Sequence, residues 1–284
     1  MRVPESDAQL HVASSGAGHP PVVLVHGFGA SGRIWRHWLS ELERRHRVHN
    51  VDLMGFGAAA APLAGDYSPG AQGARVASLL EGLAAEGPPV LVGHSLGAGI
   101  ALFAALSRMK AVGPGALAGL VIVSGAVYAQ RFPRYMALAR IRGVGEVFLL
   151  APPPRAAMRW GLRTIVHDPA SVSLEMVESH RAPFRSIRRR WAALRGARQI
   201  KLERAADILQ GLRELDVPAL LLWGDEDRVV PLAYAHRLAS ELPRATLVTL
   251  PGVGHLPPEE APLESLTHVT DFLESLRRST GTSG

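Results

Sequence analysis

The sequence has no cysteine in its 284 residues, which excludes disulfides, a thiolate nucleophile and any cysteine-based metal site. Lysine is almost absent as well. Only Lys110 and Lys201 occur, so 29 of the 31 basic side chains are arginines. No apolar run is long enough to span a bilayer, and the first residues, Met1-Arg2-Val3-Pro4-Glu5-Ser6-Asp7, lack the apolar core of a signal peptide. These absences fit a reducing compartment, and the expected location is cytoplasmic. There is no internal repeat. The twelve histidines include no His-Glu-x-x-His or similarly tight ligand spacing, so neither a metal nor a cofactor is expected.

What the chain does contain is a serine between a strand and a helix. The apolar run Pro89-Val90-Leu91-Val92 leads into Gly93-His94-Ser95-Leu96-Gly97, and a helix-like stretch from Ala98 to Met109 leads out. Strand, sharp turn bearing a serine, then helix is the context of a nucleophile elbow, whose glycines let the backbone pass close to its neighbours. A serine hydroxyl is a weak nucleophile at neutral pH. It needs a base within hydrogen-bond reach and a third group to hold that base in the right tautomer. In folds built around such an elbow the acid and then the histidine follow in chain order, on loops at the carboxyl ends of strands. Two loops qualify. One, Gly224-Asp225-Glu226-Asp227-Arg228, follows the apolar run Pro218 to Trp223, and the other, Pro251-Gly252-Val253-Gly254-His255-Leu256-Pro257, follows Ala245 to Leu250. Asp225, Glu226 and Asp227 all compete for the role of acid.

Strands are expected at about 10–14, 22–26, 47–53, 90–93, 120–124, 219–223 and 246–250, with helical patterns between most of them. Such alternation implies a doubly wound, mostly parallel α/β sheet with ligands gathered at the carboxyl ends of its strands. Between Ala126 and about Leu215 the rhythm stops, and arginine-rich helical segments take over, punctuated by Pro152-Pro153-Pro154 and His167-Asp168-Pro169. The expected organisation is an α/β core, residues 1–125 and 216–284, interrupted by a helical insertion, residues 126–215.

Four landmarks stand in register: Val25-His26-Gly27-Phe28-Gly29-Ala30-Ser31, Asp52-Leu53-Met54-Gly55-Phe56-Gly57, the Ser95 elbow, and Gly254-His255-Leu256-Pro257 with Glu260 and Pro262 behind it. On these the chain resembles the α/β-hydrolase superfamily, in its capped, esterase-like branch, over about residues 8–278. The resemblance implies the α/β-hydrolase fold with the insertion as a helical cap, Ser95 as nucleophile and His255 as base. It implies Asp227 as acid, since the family's acid usually sits three residues after the strand-ending glycine. It further implies an oxyanion hole formed by the backbone amides of Phe28 and Leu96. Asp52 is similar to the family's structural acid. His26 is read as a structural hydrogen-bonder and His94 as packing, and the five tryptophans as core or cap packing.

Aspartate in place of Ser95 would indicate dehalogenase or epoxide hydrolase chemistry; serine leaves acyl transfer. The expected function is hydrolysis of a small-molecule carboxylic ester through an acyl-enzyme. The resemblance keeps four alternatives open. They are an esterase or thioesterase acting on acyl groups of an acidic carrier protein, a carbon–carbon bond hydrolase, a cofactor-free perhydrolase, and a non-enzymatic ligand receptor. Many carbon–carbon hydrolases carry Trp after the catalytic His, where this chain has Leu256. Selectivity is expected to come from Phe132, Tyr135, Met136, Phe148, Leu149, Met158 and Trp160. Residues 131–204 hold sixteen Arg or Lys against five Asp or Glu, a balance of +11, whereas the rest of the chain carries −5. One reading is attraction of an anionic substrate, acidic carrier or membrane surface; the other is a solvated helical face that includes Arg188-Arg189-Arg190. No nucleic-acid partner is expected, because no recognised binding signature accompanies the charge.

Overall fold

The computed structural model describes residues 10–128, 134–200 and 211–281. Seven strands, β1 (His11–Ser15), β2 (Val22–Val25), β3 (Val48–Asp52), β4 (Val90–His94), β5 (Gly119–Val123), β6 (Ala219–Gly224) and β7 (Ala245–Leu250), form one sheet in the order β1-β3-β2-β4-β5-β6-β7. β1 runs antiparallel to β3, and every other neighbouring pair is parallel. All seven expected strands are present, with no end displaced by more than one residue.

The helices among the described residues are α1 (Arg36–Leu42), α2 (Pro69–Gly82), α3 (Leu96–Val112), α4 (Arg134–Arg140), α5 (Val144–Leu150), α6 (Arg155–Arg163), α7 (Leu174–Arg181), α8 (Ile187–Gln199), α9 (Leu232–Glu241), α10 (Pro257–Glu260) and α11 (Pro262–Gly281). The central strands β2, β4, β5 and β6 are buried along their whole length, which is why they read as continuous apolar runs rather than alternating ones. Successive side chains go to opposite faces of the sheet. Val23, Val25, Leu91 and Leu221 pack with α2, α3 and α9, whereas Val22, Leu24, Val90 and Val92 pack with α1 and α11. Trp35 and Trp38 are fully buried on the second face, and the Trp38 Nε1–H donates to Ser265 Oγ at 3.2 Å, so its polar edge is satisfied inside the core.

Between β5 and β6 the described residues form α4 to α8 and no strand. Leu162, Val166, Met176 and Val177 of this segment join the same apolar cluster as α1 and α11, which seats α6 and α7 on the core. No helix among the described residues is long and apolar enough to cross a membrane. Because β2, β4, β6 and β7 run in parallel, their carboxyl ends deliver Phe28, Ser95, Asp227 and His255 to one rim of the sheet.

Candidate active site

Ser95 sits between β4 and α3 at φ 52° and ψ −121°. Among the described residues only Ser95 and Ser124 are non-glycine residues with positive φ, a conformation that persists only where the surroundings impose it. The elbow is that tight because backbone crosses backbone there. A Cβ on Gly97 would lie 2.3 Å from the His26 carbonyl oxygen, and one on Gly93 would lie 2.6 Å from the Gly97 carbonyl oxygen. Ser95 N–H donates to the Val123 carbonyl, and the Ser95 carbonyl accepts from Ala98 and Ala126, each at 3.0 Å, so the turn is tied on both sides. Ser124, the other strained serine, has a buried Oγ with no hydrogen-bond partner.

His255 approaches from the loop after β7. Ser95 Oγ lies 3.0 Å from His255 Nε2, and His255 Nδ1 lies 2.9 Å from Asp227 Oδ2. An acceptor-only carboxylate at Nδ1 sets the tautomer: Nδ1–H donates to Asp227, which leaves Nε2 to accept the Ser95 hydroxyl proton. The other Asp227 oxygen accepts the amides of Val229 and Val230, both at 2.8 Å. Burial pushes the Asp227 carboxyl up, but His255 and these two amides outweigh it and hold the group below its ordinary value, hence ionised. Of the three acids in this loop only Asp227 reaches His255. Asp225 instead caps the next loop by accepting Gly252 N–H at 2.8 Å, and Glu226 is exposed.

The His255 backbone is fixed independently of its ring. Glu260 accepts the amides of Gly254 and Leu256, at 2.9 and 2.8 Å, and that of His167 at 2.7 Å. His255 N–H donates to the Ile165 carbonyl at 2.9 Å, and its carbonyl accepts from His94 Nε2 at 2.8 Å. Burial and the neighbouring His255 lower His94 to about 3, so its ring stays neutral. The sequence reading of His94 as packing is thus incomplete, since the ring is also a hydrogen-bonded strut under His255. His26 behaves as expected of a structural residue: Nδ1–H donates to the Gly27 carbonyl at 2.7 Å and Nε2 accepts Leu53 N–H at 3.0 Å. Asp52 accepts the amides of Gly32 and Ala58, at 2.7 Å each, across the turn that Gly55 and Gly57 make.

A cavity of about 380 Å³ opens over Ser95 and His255. Phe28, between Gly27 and Gly29, and Leu96, the first residue of α3, both line it beside Ser95. Amides in the first turn of a helix lack intrahelical partners, so Leu96 N–H is available to a ligand by construction. Of the residues expected to govern selectivity, Met136, Phe148, Met158 and Trp160 line the cavity, and Leu149 does not. Phe132 and the Tyr135 side chain lie outside the described residues. Among the described residues no group of three or more His, Asp or Glu is placed to hold a metal ion.

Two features escaped the sequence. Arg190 is only 8% exposed and lines the cavity, although its neighbours in the run make it look solvated. His180, which also lines the cavity, bonds Glu259 Oε2 through Nε2 at 2.7 Å, and the other Glu259 oxygen pairs with Arg36. Arg36 Nε in turn meets Glu175 at 3.2 Å. Residue 36, residues 175 and 180 of α7, and residue 259 come from three segments too far apart in the chain for any local pattern to show this link between α7 and the core. Burial pushes the Glu259 carboxyl up, but His180 and Arg36 overcome it and hold the group at about 2, below the ordinary 4.5. Its folded value is depressed, so the stability it contributes is complete above about pH 4.5 and is lost as pH falls toward 2, on the order of 3 kcal/mol in full. Urea unfolding of the wild type and Glu259→Gln should therefore show a stability gap that narrows from pH 6 to pH 3. A gap independent of pH would contradict the assignment.

The chain matches the sequence profile of the Alpha/beta hydrolase family across residues 22–267. It is 29% identical over 258 residues to the uncharacterized hydrolase YugF of Bacillus subtilis, covering 90% of this chain and 91% of that protein. It is 33% identical over 245 residues to the pimeloyl acyl-carrier-protein methyl ester esterase of Methylococcus capsulatus, covering 81% of this chain and 85% of that protein. A thermophilic esterase from Thermogutta terrifontis superimposes with a TM-score of 0.76 at 26% identity, over 94% of this chain and 93% of that one.

Proposed function

The chain belongs to the alpha/beta hydrolase family, and from that premise we propose that it is a serine hydrolase that cleaves a carboxylic ester through an acyl-enzyme intermediate. The observation that carries this reading is the hydrogen-bonded chain from Ser95 Oγ through His255 to Asp227, at 3.0 and 2.9 Å, opening into the cavity. Ser95 Oγ attacks the ester carbonyl while His255 Nε2 takes its proton, and Asp227 stabilises the imidazolium that forms. The amides of Phe28 and Leu96 hold the developing oxyanion. Collapse breaks the bond to the alcohol, which leaves with the proton from His255 Nε2. Water then repeats the sequence on the acylated serine, releasing the acid. Residues 126–215 act as a cap that shapes the cavity and limits water around the reacting atoms. A screen of neutral p-nitrophenyl esters of graded chain length tests the proposal. Turnover with a burst of nitrophenol no larger than one equivalent per chain is expected, whereas tight binding of such esters without turnover would mark a ligand receptor.

A second reading, an esterase for acyl groups on an acidic carrier protein, is favoured by the Methylococcus relative and by the charge of the insertion. Part of that charge is neutralised locally: Arg155, Arg181 and Arg185 share Glu178, and Arg198 pairs with Glu146. Arg142 and Arg188 remain exposed, with no acidic partner among the described residues. If they steer a carrier, kcat/KM for a carrier-bound ester should fall steeply as salt rises toward 0.15 M, where surface charges act over only about 8 Å. Arg142→Gln with Arg188→Gln should reproduce that loss while leaving a neutral ester unchanged. Equal salt sensitivity for both substrates would remove the carrier from the account.

A further inference from the structure

The face that α8 turns toward the cavity is formed by Arg190, Ala193, Leu194 and Ala197, with Ile200 just beyond the helix end. The spacing of three and four residues makes them one stripe. It is apolar except at Arg190. The Arg190 guanidinium donates through Nη1 to the carbonyls of Phe184 at 2.8 Å and Arg185 at 3.0 Å. Through Nη2 and Nε it donates to the Leu149 carbonyl at 3.0 and 3.3 Å. These four bonds occupy four of its five N–H groups and leave one on Nη2. Its hydrogen-bond partners among the described residues are all backbone carbonyls, with no carboxylate among them.

Carbonyl oxygens satisfy the geometry of a guanidinium without supplying a counter-charge, and a cation buried beside an apolar cavity without one is costly. A methionine or leucine would complete the apolar stripe without a buried charge, although the Leu149, Phe184 and Arg185 carbonyls would lose this donor. We propose that Arg190 is an anion anchor. On this view the cavity takes an ester in which an apolar chain separates the scissile ester group from a carboxylate, and that carboxylate pairs with the remaining Nη2–H and the guanidinium charge. This names a substrate class for the site and rests on the hydrolase reading above.

The test compares binding of straight-chain methyl alkanoates with the mono-methyl half-esters of α,ω-dicarboxylic acids of equal length. Calorimetry on Ser95→Ala prevents turnover. The chain is expected to bind the half-ester roughly tenfold or more tightly than its neutral counterpart at one chain length. In the Arg190→Met background that ratio should fall to about one with neutral-ester affinity retained. Arg190→Lys, which keeps the charge and gives up the forked bonds, should preserve part of it and serves where Arg190→Met does not fold. Equal affinity for the two ligands before Arg190 is changed, or a preference that survives Arg190→Met, overturns the proposal. Failure here is separable from failure of the hydrolase reading. A protein that hydrolyses neutral esters without discriminating half-esters loses only the anchor, and one that discriminates them while no serine acylates loses only the hydrolase.

Discussion

Ser95→Ala is expected to lower kcat on an activated acyl ester by on the order of 10⁶, with the fold intact. The size follows from the proposed role of Ser95 as the group that forms the acyl bond. His255 Nε2, 3.0 Å from Ser95 Oγ, would then face a methyl group. Ser124 offers no substitute, because its Oγ is buried and has no hydrogen-bond partner to take its proton. Residual turnover should resemble oriented attack by water, helped only by the oxyanion hole proposed at the amides of Phe28 and Leu96. The variant keeps its stability because alanine adopts the same backbone as poorly as serine does, so the melting temperature should change little. Steady-state kinetics of the purified variant beside the wild type checks the effect, and a loss smaller than about a hundredfold would move the nucleophile elsewhere.

Asp227→Asn is expected to cost roughly 10⁴ in kcat, close to 5.4 kcal/mol of transition-state stabilisation. An asparagine can keep its carbonyl oxygen where Asp227 Oδ1 accepts the amides of Val229 and Val230. Its NH₂ then points at His255 Nδ1. That donor forces Nδ1 to accept, places the ring proton on Nε2 and leaves nothing to take the Ser95 proton. The imidazolium of the transition state also loses its counter-charge. Asp225→Asn and Glu226→Gln should cost far less, since one carboxylate bonds the Gly252 amide and the other is exposed. Should Asp225→Asn give the larger loss, the two aspartates exchange roles.

The elbow was legible because its requirements are local: a strand, two glycines that admit crossing backbone, a serine and a helix all lie within about twenty residues. The strands were legible for a similar reason, since continuous burial of β2, β4, β5 and β6 leaves continuous apolar runs. The choice among Asp225, Glu226 and Asp227 was not, because three consecutive side chains all end in a carboxylate and the sequence does not say which one points at the histidine; it took the resemblance to name Asp227. Arg190 misled for the opposite reason. Its neighbours Arg188 and Arg189 suggest a solvated run, but the helical period turns residue 190 toward Ala193 and Leu194. The link from Arg36 through Glu259 to His180 joins three distant segments, and nothing local encodes it.

Incubation with a fluorophosphonate probe followed by peptide mass spectrometry tests the central claim most directly, because the probe reacts with a serine only where a base takes its proton and donors hold the resulting oxyanion. The account predicts one adduct per chain, on Ser95, with loss of ester turnover in step with labelling and much slower labelling of Asp227→Asn. Ester turnover that persists with Ser95 fully modified, or an inactivating adduct on another serine such as Ser124, would contradict it.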